Sequence, residues 1–279
     1  MNDTTTSKDT ARNAKEENKQ HSLAKILGIW AAVTIPMGIL AWVVFPAITP
    51  DFETDPIGTG YARMGALTVG LIWLFALSLI IVYREEGDLR WATLKKRLWL
   101  NTPRDPRTGK PRRKLWLWLI PIVLLHTVGA LLLLPMVDDW VSSVLPIIAP
   151  LPGYELGEFL LSPEAGPLFL GNWGILGMFL VMITFNILGE EFLFRGVLLP
   201  KMNGVFGKWD WLANGVLGIL YHVSMPWSWL GTTGVNWIFF YALPAKYFRS
   251  TWFSIIIHGS IMVLETILIL GLVLGLMSF

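Results

Sequence analysis

Long apolar runs separated by short polar segments constrain the fold of this chain more than any other feature. A bilayer core requires about 20 apolar helical residues. Runs of this kind occur at 23–46, 64–83, 115–136, 168–199 and 251–276. Two less regular runs, which contain glycine, proline or polar residues, lie at 211–230 and 234–248. With 54% hydrophobic residues and a mean hydropathy of +0.56, the chain predicts an all-α, polytopic transmembrane bundle of about seven to eight spans.

The distribution of charge predicts how these spans are oriented. Basic residues are concentrated in the loop 84–114 and also occur in the polar leader before the first run. By contrast, residues 137–167 contain five acidic residues and no lysine or arginine. Because basic loops stay on the cytoplasmic side, we expect a multi-pass protein of the cell membrane with a cytoplasmic N-terminus.

Composition also predicts the domain organisation and excludes several kinds of site. Residues 1–20 are polar and carry both signs of charge, so we expect a disordered cytoplasmic tail, followed by one transmembrane domain at 21–279. The absence of cysteine excludes disulfides, thiolate metal sites and a cysteine nucleophile. Basic residues alternate with tryptophan and leucine at 91–99, which predicts a short helix at the lipid headgroups. The expected partner of this loop is the lipid bilayer, and no nucleic acid is expected.

Two adjacent carboxylates and an arginine stand inside the fourth long apolar run. Each ionised side chain at the bilayer centre costs about 2.5–3.5 kcal/mol, and such charges occur mainly at pathways and active sites. Glu191 and Arg195 are four residues apart, so they are predicted to pair on one helix face. Glu190 shares its face with Asn186 instead and has no local cation. Glu190 is therefore the candidate base, in the C-terminal half of the chain.

Two later helices each contribute a histidine at a depth similar to that of Glu190. At 1.5 Å per residue, Glu190, His222 and His258 are expected about 10–20 Å inside the cytoplasmic face. A carboxylate and two imidazoles can activate water, bind a metal or relay protons. The motifs His-Glu-x-x-His and Gly-x-Ser-x-Gly are absent. His126, in the third run, is predicted to be a packed histidine hydrogen-bonded to the backbone.

The motif Glu-Glu-x-x-x-Arg-Gly at 190–196, followed by His222 and His258 on separate late helices, resembles the CAAX protease and bacteriocin-processing (CPBP or Abi) family. This family comprises intramembrane glutamic endopeptidases and is related to the Ras-converting CAAX prenyl endopeptidase. The resemblance covers about residues 165–279. It implies hydrolysis of a peptide bond in a membrane-associated peptide or protein, and because many members are bacterial, a bacterial plasma membrane.

The resemblance also implies a role for each site residue. Glu190 and His222 would hold and activate the attacking water, and His258 would help to stabilise the oxyanion. Glu191 and Arg195 would support them. No cofactor is expected from the resemblance. The alternative is zinc, held by Glu190, His222 and His258, because two histidines and a glutamate form a common zinc ligand set.

Two positions depart from the family pattern. Gly218 occupies the phenylalanine position of the motif Phe-x-x-x-His, and Met262 occupies the position of an Asn or Asp four residues after the last histidine. Loss of one oxyanion donor typically costs about 10²–10³ in rate. Asn186 and Glu265 are the candidates to compensate. The alternative is therefore that the protein is a catalytically weak family member, which acts as a membrane scaffold, peptide-binding or immunity protein. A third hypothesis is proton-coupled transport, but the sequence has no internal repeat to favour it.

Overall fold

The computed structural model describes residues 20–154 and 157–277, which form a bundle of helices. The main helices are α1 Leu23–Ile48, α2 Pro56–Glu86, α3 Trp91–Arg97, α4 Arg113–Val144, α5 Trp173–Lys201, α6 Asp210–Tyr221, α7 232–248 and α8 Thr251–Val273. No β-strand occurs in these two described ranges, so the all-α prediction is confirmed. The predicted disordered tail falls almost wholly on residues 1–19, outside the described residues.

Five helices, α1, α2, α4, α5 and α8, are long and apolar enough to cross a membrane. They coincide with the five long apolar runs, which confirms a polytopic membrane protein. The two less regular runs form α6, which has 12 residues, and α7, and both are shorter than the five long helices. At 12 residues, α6 is shorter than the roughly 20 that a single crossing helix needs, so helix length supports five spans in the described ranges. The count of seven to eight spans stays a prediction.

Side-chain caps fix where α2 and α5 begin. Asp55 accepts a hydrogen bond from the backbone N–H of Gly58 at 2.7 Å, and α2 ends at Gly87, whose φ is +79°. Asn172 caps α5 by accepting from the backbone N–H of Ile175 at 3.2 Å. These are N-cap bonds to the third residue of each helix. The fourth apolar run, predicted from residue 168, therefore begins its helix at Trp173.

The bundle is arranged around α5, which packs against α2 and α8. A Cβ at Gly189 would lie 2.7 Å from the backbone oxygen of Leu71 and 3.2 Å from the Cβ of Leu74, so only glycine allows α2 and α5 to approach this closely. The helix α6 contacts both α7 and α1. By contrast, α4 lies at the periphery, since only 6% of its most apolar window is buried. Its apolar side chains are therefore exposed, as expected of a helix that faces lipid.

The end of α5 is held by α3 from the basic loop. Arg97 donates hydrogen bonds to the backbone oxygens of Gly196 at 2.9 Å and Val197 at 3.1 Å, and it pairs with Glu85. The side chain of Leu98 covers Gly196. The predicted short helix at 91–99 is present as α3, but its last residues are buried against α5 rather than lying wholly among headgroups. This contact holds α5 at Gly196 and Val197, five and six residues beyond Glu191.

Candidate active site

The hydrogen-bonding pattern of α5 changes at the two glutamates. The helix is α-helical from Trp173 to Glu190 and π-helical over Glu191–Leu198. Such turns are rare and are frequently found at functional sites. Glu190 is 2% exposed, while Glu191 and Arg195 are fully buried. Three ionisable side chains are thus enclosed where this membrane helix changes from α-helical to π-helical.

Glu190 lies beside Asn186 and His222. The Asn186 amide donates to Oε1 of Glu190 at 3.0 Å, which confirms that these two residues share a helix face. Nε2 of His222, at the end of α6, lies 3.7 Å from the same oxygen. The second oxygen of Glu190, Oε2, is buried and has no hydrogen-bond partner among the described residues. The carboxylate thus keeps one oxygen available for a reacting group.

The backbone of α6 determines which nitrogen of His222 carries a proton. Nδ1 lies 2.9 Å from the backbone oxygen of Gly218, and because a carbonyl oxygen can only accept, Nδ1 is the donor. In the neutral ring Nε2 then presents a lone pair towards Glu190. Two acceptors face each other across 3.7 Å, an arrangement that suits a water molecule donating to both.

Glu191 is the centre of a second cluster. Arg195 lies one turn further along, with its Nε 3.6 Å from Oε2 of Glu191, as the spacing predicted. Two residues of α8 also bind this carboxylate. Ser254 donates its hydroxyl to Oε2, and Nδ1 of His258 lies 3.0 Å from Oε1. The carboxylate that His258 contacts is therefore Glu191, not Glu190.

The site thus consists of two acid–imidazole pairs rather than one group of three residues. Glu190 lies with His222, and Glu191 lies with His258. Within residues 20–154 and 157–277, no set of three or more histidine, aspartate or glutamate side chains is arranged to hold a metal ion. The zinc alternative therefore gains no support from geometry. The expectation of no cofactor stays a prediction.

Trp237 fills the space beside Gly218. A side chain at position 218 would overlap the indole of Trp237, which lies on α7. This indole packs against His222 with ring centroids 4.8 Å apart, and the guanidinium carbon of Arg195 lies 3.9 Å from its centroid. The space beside Gly218 is thus filled by an aromatic ring from another helix.

Tyr241 and His126 extend the site towards the peripheral helix α4. The ring of Tyr241 stacks on His258 with centroids 4.7 Å apart, and its hydroxyl lies 3.2 Å from Nε2 of His126. Nδ1 of His126 lies 3.4 Å from the hydroxyl of Ser260. His126 is buried, as predicted, but its partners are side chains rather than backbone groups. These contacts connect α4 to the Glu191 cluster through α7.

Met262 and the two residues expected to compensate for it have different surroundings. Met262 is half-buried one turn beyond His258 and has no polar hydrogen to donate. Asn186, one candidate to compensate, already donates to Glu190. Glu265, the other, is half-buried on α8. The hydroxyl of Tyr221, beside His222 in the chain, is buried and has no hydrogen-bond partner within the described ranges.

Four residues of the site were missed from the sequence. Trp237, Tyr241 and Tyr221 looked like packing residues of apolar helices, where aromatic side chains are common. Ser254 had a usable signal, because it stands four residues before His258 and so shares its face on α8. Tyr221 also had a usable signal in the sequence, since it directly precedes the candidate histidine His222.

A comparison with known protein families finds a match in the same part of the chain. Residues 172–264 match the family described as type II CAAX prenyl endopeptidase Rce1-like. The match begins at the cap of α5 and ends within α8, so it includes both acid–imidazole pairs. No curated protein and no solved structure matches the chain. The chain is therefore an integral membrane protein, and its residues 172–264 are similar to the type II CAAX prenyl endopeptidase Rce1-like family, a family of proteases.

Proposed function

We propose that this protein is an intramembrane endopeptidase that hydrolyses a peptide bond with a water activated by Glu190 and His222. One observation carries the proposal. The carboxylate of Glu190 is 2% exposed and forms no ion pair with a lysine or arginine in residues 20–154 and 157–277, but it faces the lone pair of His222 Nε2 across 3.7 Å. A buried carboxylate without such a function would be costly in this environment.

In the proposed reaction, water donates one hydrogen bond to Glu190 and one to Nε2 of His222. As the water oxygen attacks the carbonyl carbon of the peptide, Glu190 takes up the proton as general base. The product of this step is a tetrahedral intermediate with a negatively charged oxygen. Glu190 then returns the proton to the leaving nitrogen, the C–N bond breaks, and no covalent enzyme intermediate forms.

The second pair is assigned to the oxyanion. Glu191 accepts from Nδ1–H of His258 and from Ser254, which fixes the imidazole ring. In the imidazolium form, the remaining Nε2–H can donate to the developing oxyanion, a contribution typical of such sites. Arg195, 3.6 Å from Glu191, supports the carboxylate in its ionised state. Glu191 and Arg195 are thus proposed to position His258 rather than to touch the substrate.

The proposed substrate is a membrane-associated peptide or protein that enters from the cytoplasmic leaflet. This orientation depends on the basic loop 84–114 and the cytoplasmic N-terminus that its charge implies. The family resemblance adds a bacterial plasma membrane and catalysis without a cofactor. One transmembrane domain, residues 21–279, would carry the whole activity.

Met262 favours a second candidate, a catalytically weak family member that binds a peptide or partner protein as a scaffold or immunity factor. A methionine in place of Asn or Asp removes one donor from the family's oxyanion site. Such a protein would retain the peptide-binding surface, because that surface needs no transition-state stabilisation.

Cleavage of a membrane-peptide library by the full-length protein in liposomes distinguishes the two. Glu190→Gln keeps the shape and the Asn186 contact but removes the base, so cleavage should fall about 10²–10⁴-fold. Glu53→Gln, at an exposed acid outside the site, is the matched control and should cleave normally. Unchanged cleavage by Glu190→Gln would refute the proposed base. Peptide binding without any cleavage by the wild-type protein would favour the scaffold.

A further inference from the structure

A basic pocket of about 470 Å³ lies on the side of the bundle that carries the loop 84–114. It opens between the residues that follow α3, the end of α5 and the turn between α7 and α8. Its charged and polar lining includes Lys96, Trp99, Arg104, Asn203, Lys246 and Arg249. None of these belongs to the two acid–imidazole pairs, so the pocket is a feature separate from the candidate active site.

Three of the four cations that line the pocket are not paired with an acidic residue in the described ranges. Lys246 forms an ion pair with Asp210, which does not line the pocket. The other three cations, Lys96, Arg104 and Arg249, have no acidic partner among the residues that the structure describes. No lining residue is acidic. Several positive charges that line one concave site raise the local concentration of anions.

The backbone around the pocket is held in an unusual conformation. Within residues 20–154 and 157–277, only Trp99 and Arg249 are non-glycine residues with positive φ, at 52° and 47°, and both line the pocket. Such conformations persist where the surrounding structure holds them, and they cluster at ligand sites. Here, the backbone N–H of Thr251 donates to the Trp99 oxygen at 3.0 Å, and that of Arg104 donates to the Phe248 oxygen at 2.8 Å.

We propose that this pocket binds a phosphate group, and that the source of the phosphate is the headgroup of an anionic phospholipid. Arginine guanidinium groups bind phosphate oxygens in pairs, and lysine adds a point charge. The pocket is lined by Pro200 near the end of α5 and by Arg249 just before α8, two helices long and apolar enough to cross a membrane. Helix ends of this kind are expected near lipid headgroups, where indoles such as that of Trp99 are common. Its volume of about 470 Å³ exceeds that of a phosphate group and leaves space for attached glycerol.

The test measures lipid binding by the full-length protein in detergent by native mass spectrometry. The probes are phosphatidylglycerol, phosphatidylcholine as the neutral lipid, and inorganic phosphate as a competitor. Lys96→Gln/Arg249→Gln removes two pocket charges. Lys95→Gln/Arg107→Gln removes two exposed charges of the same loop region that do not line the pocket, and it serves as the matched control. Thermal unfolding checks that both double variants fold.

We expect phosphatidylglycerol to bind in preference to phosphatidylcholine. The pocket variant should bind it about 30-fold more weakly, since each basic residue near an anionic surface contributes roughly a factor of five. The control variant should bind as the wild type does. Binding of inorganic phosphate without a preference for phosphatidylglycerol would uphold the phosphate site but overturn the lipid as its source. Equal losses in both double variants would overturn the pocket, because diffuse surface charge would then explain the binding.

Discussion

The packing of the candidate active site can be tested by moving its aromatic side chain from position 237 to position 218, with the changes Trp237→Ala and Gly218→Phe. Trp237 is 2% exposed and contacts Gly218, His222 and Arg195. Truncation of a buried tryptophan to alanine typically costs about 3–5 kcal/mol. We expect the lower part of that range, about 3 kcal/mol, because helix association in a membrane depends on packing rather than on the hydrophobic effect.

The opposite change, Gly218→Phe, should also destabilise the protein. The new ring would overlap the indole of Trp237, and overpacking of this kind costs about 1–3 kcal/mol or more. In Gly218→Phe/Trp237→Ala, the phenylalanine takes the space that the indole leaves. The loss in free energy of unfolding of the double variant should therefore be smaller than the sum of the two single losses, by about 2 kcal/mol or more. The double variant should also regain cleavage, because an aromatic ring again packs against His222.

Thermal unfolding in detergent and the liposome cleavage assay measure the four proteins of this cycle. Trp252→Ala, at a half-buried tryptophan on α8, controls for the loss of a tryptophan as such. Additive effects of the two changes would refute the reasoning, because they would mean that the rings at 218 and 237 do not compete for one space.

Three further predictions concern single residues. The buried hydroxyl of Tyr221 has no hydrogen-bond partner among the described residues, so it can donate to the oxyanion beside His222. Tyr221→Phe should leave the melting temperature within about 1 °C but lower the cleavage rate about 10²-fold; an unchanged rate would exclude this role. Ser254→Ala removes a donor from the buried carboxylate of Glu191 and should cost about 1–3 kcal/mol in thermal unfolding, whereas an unchanged melting temperature would show that this bond is dispensable. Burial lowers the pKa of His21 to about 4, with a further lowering by the charge of Lys25, so protonation disfavours the folded state. The wild-type protein should therefore lose stability as the pH falls from about 6.5 towards 4, and His21→Gln should lose less stability over that interval. Melting temperatures of both proteins, measured across this pH range, test the prediction. Parallel plots of melting temperature against pH would contradict it.

Much of the fold could be predicted from the sequence because its signals are local. The length of an apolar run determines whether a helix can cross the bilayer, and all five long runs are helices of that kind. Spacing along one helix is also local. The Glu191–Arg195 pair and the Asn186–Glu190 hydrogen bond both follow from a separation of four residues.

Apolar runs were less reliable for predicting where individual helices begin and end. The fourth run was predicted from residue 168, but the cap at Asn172 delays the helix to Trp173. The second apolar half of the run 211–230 is not part of α6, which ends at Tyr221. Hydropathy averages over a window and does not detect such ends.

The sequence by itself determined that Glu190, Glu191, His222 and His258 stand in apolar helices, where a charged or titratable group needs a partner. Only the tertiary structure decided which partner each one has. His258 lies on Glu191, Trp237 replaces the side chain that Gly218 lacks, and His126 reaches the site through Tyr241. Each of these contacts joins helices far apart in the chain, and which helix faces meet depends on packing of the whole bundle, which no local spacing encodes.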